Sequence, residues 1–189
     1  PWALRPGSVG QPLPGVEVFA ADEAGAALGA GELGELHIRG HCVMQGYHRR
    51  EVESASAMRG GALRTGDLGL VDADGYVHIR GRARDMIIVA GENIMPAQIE
   101  EALLAHPAVA EAAVIGVPDE LRGEAPVAFV ILREGAKASG ADLRAACRER
   151  LAVHKVPREV RVCPELPRGP TGKILKRALR GLLEGVTGA

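Results

Sequence analysis

The sequence predicts an α+β fragment in two parts, a strand-rich, small barrel-like subdomain followed by a small α+β domain. In the first part, alternating polar and apolar residues such as those at 35–39 are separated by glycine-rich turns, which is typical of short strands packed as a barrel or sandwich. In the second part, helical periodicity alternates with apolar runs, which indicates helices packed on a small sheet. This change of pattern predicts domains at residues 1–83 and 84–189.

A β-hairpin is the clearest element of the first part. The segment from Asp72 to Gly75 is a turn signal between two apolar runs. Just before it, Thr65, Gly66 and Asp67 are expected to form a tight turn that presents a carboxylate, because glycine relieves backbone strain and the other two side chains bond nearby amides. Two strands and a helix are also predicted, at residues 16–20, 35–39 and 51–58.

The second part contains two well-marked helices. Pro96 suits the first position of a helix, and Ile99, Leu103 and Leu104 are predicted to form its apolar face. Another helix is expected to start near Ser139 or Ala141. Four further strands are predicted at residues 86–89, 109–117, 126–132 and 160–162. A final helix is predicted at residues 172–183, followed by a frayed tail beyond residue 184.

The composition argues against several functional classes. A net charge of −1 and an aromatic content of 3% disfavour bulk nucleic-acid binding. No apolar run approaches the roughly 18 residues that a membrane helix needs. The cysteines at 42, 147 and 163 are odd in number and not closely paired, which fits reduced thiols in a cytoplasmic chain. Residues 142–180 carry eleven lysines and arginines against four acids, and so could face phosphates, an acidic partner or only water.

Three apparent ligand-binding motifs lack the neighbouring elements or residues that binding would require. The GxGxxG pattern at residues 29–34 is followed by a strand and not preceded by one, so it does not fit a dinucleotide fold. The segment from Gly169 to Lys173 has two residues between its glycines where a phosphate loop needs four, and Ile174 replaces the magnesium-binding Ser or Thr. No metal site is expected either, since no second ligand pair accompanies the neighbouring residues His37, His41, Cys42 and His48.

Four segments stand in the order and with the spacing of a known family. They are TGDLG, DGYVHIRGRARD, AGENIMPAQIE and PRGPTGKILK. Together they resemble the adenylate-forming superfamily of acyl-CoA synthetases, nonribosomal adenylation domains and luciferases, and are most similar to acyl-CoA synthetases. The resemblance runs from about residue 7 to residue 179. It implies the C-terminal portion of such an enzyme, in which the last subdomain of the large region is followed by a small lid domain.

The resemblance implies roles for five residues. Asp67, which by itself would be interpreted as a turn acid, would accept hydrogen bonds from both ribose hydroxyls of ATP or the acyl-adenylate, because a carboxylate has two acceptor oxygens. Arg82 would contact the ribose or a phosphate with its planar, permanently charged fork. Arg84 takes the hinge position, where relatives usually carry Asp or Lys. Gly91 would line the pantetheine tunnel. Lys173 would neutralise charge on the α-phosphate and carboxylate oxygens during adenylation.

The implied reaction has two halves. A carboxylate attacks the α-phosphate of ATP to give an acyl-adenylate and pyrophosphate, and the thiol of coenzyme A then displaces AMP to give a thioester. ATP, coenzyme A and Mg²⁺, which screens the triphosphate, are therefore expected, together with a small carboxylic acid and the remainder of the enzyme's own N-terminal domain. The phosphate loop and acyl pocket of the family are missing from the 189 residues, so we expect this chain by itself to be inactive.

Two other functions remain open from the sequence. The first is an adenylation domain that loads a carrier protein, in which a phosphopantetheine arm replaces free coenzyme A. The second is a non-enzymatic interaction module that uses the basic segment at residues 142–180, which would bind a polyanion with a steep dependence on salt.

Overall fold

The computed structural model describes residues 5–184, and the chain divides into two compact units, Pro1–Arg84 and Asp85–Ala189. The predicted α+β class is confirmed, because the first unit consists mainly of strands and the second combines a sheet with helices. The tail predicted beyond residue 184 lies outside the described residues. Within the described range, no helix reaches the length and apolar character that crossing a membrane requires.

A five-stranded antiparallel sheet forms the first unit. The longest strand, which is the fourth in chain order, pairs with the second strand along one edge and with the third and fifth strands along the other. The small core contains Ala20, Leu36 and Val77. The elements in chain order are β1 (Val16–Ala21), β2 (Gly34–Gly40), α1 (Glu51–Ala57), β3 (Met58–Arg59), β4 (Ala62–Val71) and β5 (Val77–Arg82).

The hairpin that joins β4 to β5 is confirmed. The Oδ1 atom of Asp72 accepts the backbone N–H groups of Asp74 and Tyr76, at 3.0 and 2.9 Å. Gly75 adopts a φ of +80°, a conformation that costs glycine little. The turn therefore fixes the pairing of the two strands that carry Asp67 and Arg82.

The second unit is a five-stranded sheet covered on both faces. Its central strand, the fourth of this unit in chain order, runs antiparallel to the strand before it and parallel to the last strand. The first strand of the unit, which forms a hairpin with the second, pairs with the beginning of this central strand. The elements are β6 (Ile87–Val89), β7 (Glu92–Ile94), α2 (Pro96–Leu104), β8 (Val109–Asp119), β9 (Gly123–Leu132), α3 (Gly140–Arg150), β10 (Glu159–Val162), α4 (Lys176–Leu179) and α5 (Gly181–Glu184).

Two apolar clusters explain why β8 and β9 are continuous hydrophobic runs. Helices α2 and α3 pack on one face around residues such as Val114 and Val130, whereas α4 and Leu166 pack on the other face around Phe129. Both faces of these strands are therefore buried, and neither face needs polar residues.

The helix starts agree with the sequence better than the helix faces and ends do. Pro96 opens α2, and α3 begins at Gly140, close to the start near Ser139 or Ala141 that the sequence predicted. Ser139 caps this helix through a capping box with Asp142. The placement of Leu104 on the apolar face is wrong, because its side chain is 44% exposed while Ala102 is buried in its place. Position 104 lies outside the i, i+3, i+4 face that begins at Ile99.

The predicted final helix at residues 172–183 is confirmed only in its later part, because helical structure begins at Lys176. Gly172 has a φ of +78°, which is incompatible with a right-handed helix, and it lies in a turn closed by an antiparallel bridge between Arg168 and Ile174. The single-turn helices α4 and α5 follow, separated at Arg180.

Candidate functional site

Thr65, Gly66 and Asp67 form a bulge inside β4, and the sequence prediction of a tight turn is wrong. The register of β2 against β4 shifts at this point, so that Leu36 faces all three residues. Gly66 adopts a φ of +72°, while the Thr65 hydroxyl donates to the Leu36 carbonyl at 2.7 Å and accepts the Asp67 N–H at 3.0 Å. The bulge sets the direction of Asp67 within an otherwise regular strand.

Glu35 on β2 supports this bulge from the neighbouring strand. Its Oε1 accepts the Gly66 N–H at 3.2 Å, and its Oε2 accepts Nη2 of Arg64 at 2.7 Å. Burial by itself would raise the pKa of the Glu35 carboxyl, but the hydrogen bonds from Arg64 and Gly66 outweigh it, so the pKa lies below its ordinary value. A carboxylate therefore holds the backbone of the bulge. The partners of Glu35 are 29 and 31 residues away along the chain, so its role could not be predicted from the sequence.

His37, two residues further along β2, is buried with 2% of its surface exposed. Its ring packs against Phe19 with centroids 5.5 Å apart, and its Nε2 lies 3.8 Å from Glu35 Oε2. Burial lowers the pKa of His37. His41 and His48, which are near it in sequence, are exposed, and among residues 5–184 no group of His, Cys, Asp or Glu side chains is arranged to hold a metal ion.

Asp67 and Arg82 are direct cross-strand neighbours on β4 and β5. Their side chains form an ion pair, with Arg82 Nε 2.7 Å from Asp67 Oδ1. A second arm of the guanidinium donates to the Thr65 carbonyl at 3.2 Å, so Arg82 also braces the bulge. Asp67 is partly covered, with 22% of its side chain exposed, and Arg82 is more open at 49%. The structure thus brings together the two residues that the sequence assigned to nucleotide binding.

Arg84 is the last residue of the first unit and lies in a 3₁₀ turn formed by Ala83–Asp85. Its side chain is exposed. Gly91 belongs to the second unit, in the two-residue turn of the β6–β7 hairpin. Ala90 and Gly91 have φ values of +50° and +86°, the pair of left-handed conformations that a tight hairpin turn requires. Apart from Gly91 itself and its two chain neighbours, no described residue has an atom within 4 Å of a Cβ built at this position.

Lys173 is exposed in the turn closed by the bridge between Arg168 and Ile174. Its carbonyl accepts the Gly169 N–H at 2.8 Å, and the Gly172 N–H donates to the Gly169 carbonyl at 2.9 Å. Among the residues that the structure describes, none forms a hydrogen bond or ion pair with its ammonium group. The Lys173 side chain is therefore available to a ligand.

Lys176, only three residues further on, has a different environment. Its Nζ lies 2.7 Å from Glu100 Oε1, and the same oxygen accepts the Val114 N–H at 2.8 Å. This part-buried pair ties α4 to α2 and β8. The partner of Lys176, Glu100, is 76 residues away along the chain, so the pair leaves no local signal in the sequence.

Two family models match parts of the chain. The model described as the AMP-binding enzyme C-terminal domain matches residues 98–173, and the model described as AMP-binding enzyme matches residues 1–48.

Similar proteins include named CoA ligases. The sulfoacetate–CoA ligase of Cupriavidus necator is 45% identical over 180 residues, which are 95% of this chain and 35% of that protein. The long-chain-fatty-acid–CoA ligase of Bacillus subtilis is 44% identical over 176 residues, 93% of this chain and 31% of that protein. The crystal structure of ATP-bound MatB from Rhodopseudomonas palustris matches with a TM-score of 0.90 and 39% identity, over 96% of this chain and 36% of that one. The chain thus spans about a third of the length of the curated relatives it matches.

Proposed function

Since this chain belongs to the adenylate-forming superfamily of AMP-binding enzymes, as its four segments implied, we propose that it is the C-terminal part of an ATP-dependent, AMP-forming acyl-CoA ligase. The whole enzyme would convert a carboxylic acid and ATP to an acyl-adenylate and pyrophosphate, and would then transfer the acyl group to coenzyme A with release of AMP. The names of the similar CoA ligases support this reaction class.

The observation that carries the proposal is the ion pair between Asp67 and Arg82 on the β4 bulge. Arg82 Nε lies 2.7 Å from Oδ1 of Asp67, and 22% of the Asp67 side chain remains exposed. The Asp67 carboxylate would accept hydrogen bonds from the two hydroxyls of a ribose diol. The half-exposed guanidinium of Arg82 beside it would contact the ribose or a phosphate. The bulge holds both groups in place before a nucleotide arrives, which reduces the ordering cost of binding.

In this proposal Lys173 acts on the adenylation half-reaction. An ammonium group at the end of a flexible side chain would neutralise charge that builds up on the α-phosphate and carboxylate oxygens in the transition state. Its exposure and the absence of an acidic partner among the described residues are consistent with such a role. Mg²⁺ would accompany the triphosphate of ATP, and no group of side chains among residues 5–184 is suited to bind it.

The thioester half-reaction involves Arg84 and Gly91 in the same proposal. The turn at Arg84 would act as the hinge about which the lid domain, taken as residues 84–189, changes orientation between the two half-reactions. The Gly91 turn would then line the path of the pantetheine arm. The glycine satisfies the φ of +86°, and the open space around it would admit such a chain. The remainder of the N-terminal domain would supply the phosphate loop and acyl pocket, and the chain without it would be inactive.

A cytoplasmic location is part of the proposal. All three cysteines, Cys42, Cys147 and Cys163, are free thiols, which fits a reducing compartment.

The two alternative functions have less support. The two relatives from Cupriavidus necator and Bacillus subtilis are CoA ligases by name, which favours coenzyme A over a carrier protein as the acceptor. In the basic segment at 142–180, four of the eleven cations pair with carboxylates, which reduces the positive charge available to a polyanion: Arg158, Arg161, Arg168 and Lys176.

The test replaces Lys173 in the full-length enzyme. After a screen of carboxylic acids has identified a substrate, Lys173→Ala should lower acid-dependent ATP–pyrophosphate exchange by about 10²–10³-fold, as expected for loss of a preorganised electrostatic group. Thioester formation from supplied acyl-adenylate should persist. Arg177→Ala, which removes an exposed cation from α4, is the matched control and should leave exchange within about twofold of wild type. Unchanged exchange in Lys173→Ala would refute the proposal.

A further inference from the structure

The turn that carries Lys173 is anchored at its base by apolar contacts. Leu166 before the turn is buried, and Ile174 after it packs against the same cluster beneath the sheet. Beyond these anchors, Thr171, Gly172 and Lys173 are all exposed and bury little surface. Hydrophobic packing therefore does not fix the exposed end of the turn, and the backbone hydrogen bonds at Gly169 connect it only to the rest of the turn.

Arg168 connects the exposed end of the turn to the sheet. Its Nη1 donates to the Gly172 carbonyl at 2.9 Å, which is the peptide group joined to Lys173. Its Nη2 donates to Glu111 Oε1 at 2.6 Å and also contacts Oε2. One planar guanidinium thus links the residue before the lysine to a carboxylate on β8. Among the described residues, no other side chain of the turn bonds to the sheet.

Glu111 stands on a rigid part of the unit. It lies next to a register irregularity in β8, where Ala110 is left out of the pairing with β9. The strand itself has its longest pairing with β9 and is packed by α2. A carboxylate fixed on such a strand restricts the position of Arg168, and through it the backbone at Gly172.

We propose that Arg168 and Glu111 are positioning residues for Lys173, which hold the turn so that its ammonium group reaches the reacting phosphate during adenylation. This inference rests on the proposed function. Neither residue needs to touch a substrate. Because Lys173 is assigned only to the first half-reaction, loss of the Arg168–Glu111 link should affect adenylation and spare thioester formation.

The test measures both half-reactions in the full-length enzyme with Arg168→Gln and Glu111→Gln. Arg168→Gln should lower kcat for ATP–pyrophosphate exchange by about ten- to hundredfold, since small displacements of a catalytic group have effects of this size. Glu111→Gln removes only one side of the link and should cost about three- to tenfold, in line with the modest strength of exposed ion pairs. KM for ATP and the thioester rate should stay within about twofold of wild type in both variants, because Lys173 acts on the transition state.

Two further variants separate positioning from general damage. Arg168→Lys keeps the cation and should recover part of the lost exchange. Arg161→Gln is the matched control, because Arg161 likewise bonds a carboxylate, Glu159, and a backbone carbonyl, that of Leu182, without touching the turn. It should leave the ratio of the two half-reactions unchanged.

Three results would overturn the inference. Equal losses in both half-reactions would show that the link merely stabilises the fold, as would the same selective loss in Arg161→Gln. A severe defect in Arg168→Gln with a fully active Glu111→Gln would make Arg168 itself a phosphate ligand. If Lys173→Ala leaves exchange intact, the proposed function fails instead, so the two failures are distinguishable.

Discussion

His37 illustrates how one residue couples the stability of the first unit to pH. Among the described residues it is the polar side chain with the deepest burial, and it packs on Phe19 beside Glu35. Burial lowers the pKa of its imidazole below the ordinary value of 6.5, since the charged form loses its hydration. As the pH falls, the unfolded chain therefore takes up a proton at His37 at a higher pH than the folded chain does.

The stability that His37 contributes should be present above pH 6.5 and should be lost as the pH falls from 6.5 towards the lower pKa of the folded state. Glu35, whose pKa is also lowered, loses its contribution only below its ordinary value of 4.5. We expect the free energy of unfolding, measured by urea titration, to fall between about pH 7.5 and about pH 5.5, and to fall less in His37→Gln. His41→Gln, at an exposed position, should keep the wild-type slope. Equal slopes in wild type and His37→Gln would contradict the prediction.

At the scale of the element, the β4 bulge is the part of the fold that shapes the candidate site. Regular pairing would leave Asp67 as one more residue in an alternating strand. The bulge places three residues opposite Leu36 and is held by Glu35, the Thr65 hydroxyl and Arg82. Gly66 makes it possible, because its φ of +72° is costly for other residues.

Replacing Gly66 by alanine separates the role of the bulge from ordinary strain. A Cβ at this position would meet only Arg82 Nη1, at 3.9 Å, so the cost should be backbone strain of about 1 kcal/mol. In the full-length enzyme, AMP binding measured by calorimetry should weaken about tenfold, the equivalent of one charge-assisted hydrogen bond. With 2′,3′-dideoxy-AMP, which lacks the ribose diol, wild type and variant should bind alike.

Gly61→Ala is the matched control for this substitution. Gly61 has a similar φ of +76°, stands in open space and precedes β4 away from the bulge. It should lose a similar amount of stability without any change in AMP affinity. If both variants weaken AMP binding equally, the bulge has no specific role in holding the nucleotide.

At the scale of the whole molecule, the division at Arg84 and Asp85 separates two units with their own cores. The first carries the Asp67–Arg82 pair, and the second carries the Gly91 and Lys173 turns. The proposed enzyme uses these turns in different half-reactions, so the backbone near Arg84 would need to change conformation during each cycle.

Arg84→Pro tests this requirement, because proline fixes φ near −65° and restricts the residue before it. We expect one half-reaction to fall about tenfold more than the other in the full-length enzyme, since a fixed hinge favours one lid orientation. The two half-reactions are measured separately, as pyrophosphate exchange and as thioester formation from supplied acyl-adenylate. Their ratio does not depend on the fraction of correctly folded enzyme. Arg84→Ala, which keeps the torsional freedom, should preserve the ratio, and parallel losses in Arg84→Pro would exclude a hinge here.

The sequence by itself determined the elements whose signals are local. The β4–β5 hairpin follows from Asp72 and Gly75, the start of α2 from Pro96, and the approximate start of α3 from the residues near Ser139, because each depends on side chains within a few residues. The candidate residues Asp67, Arg82 and Lys173 came from ordered segments, and the fold class followed from the change of periodicity.

The tertiary structure alone decided what lies opposite those residues. The turn predicted at Gly66 is a bulge because of the pairing with β2, and the helix predicted from residue 172 starts only at Lys176 because Arg168 and Ile174 pair across the turn before it. The supporting carboxylates of Glu35 and Glu111 were likewise invisible in the sequence. Contacts between residues distant along the chain leave no periodic signal, since their geometry depends on how whole strands align.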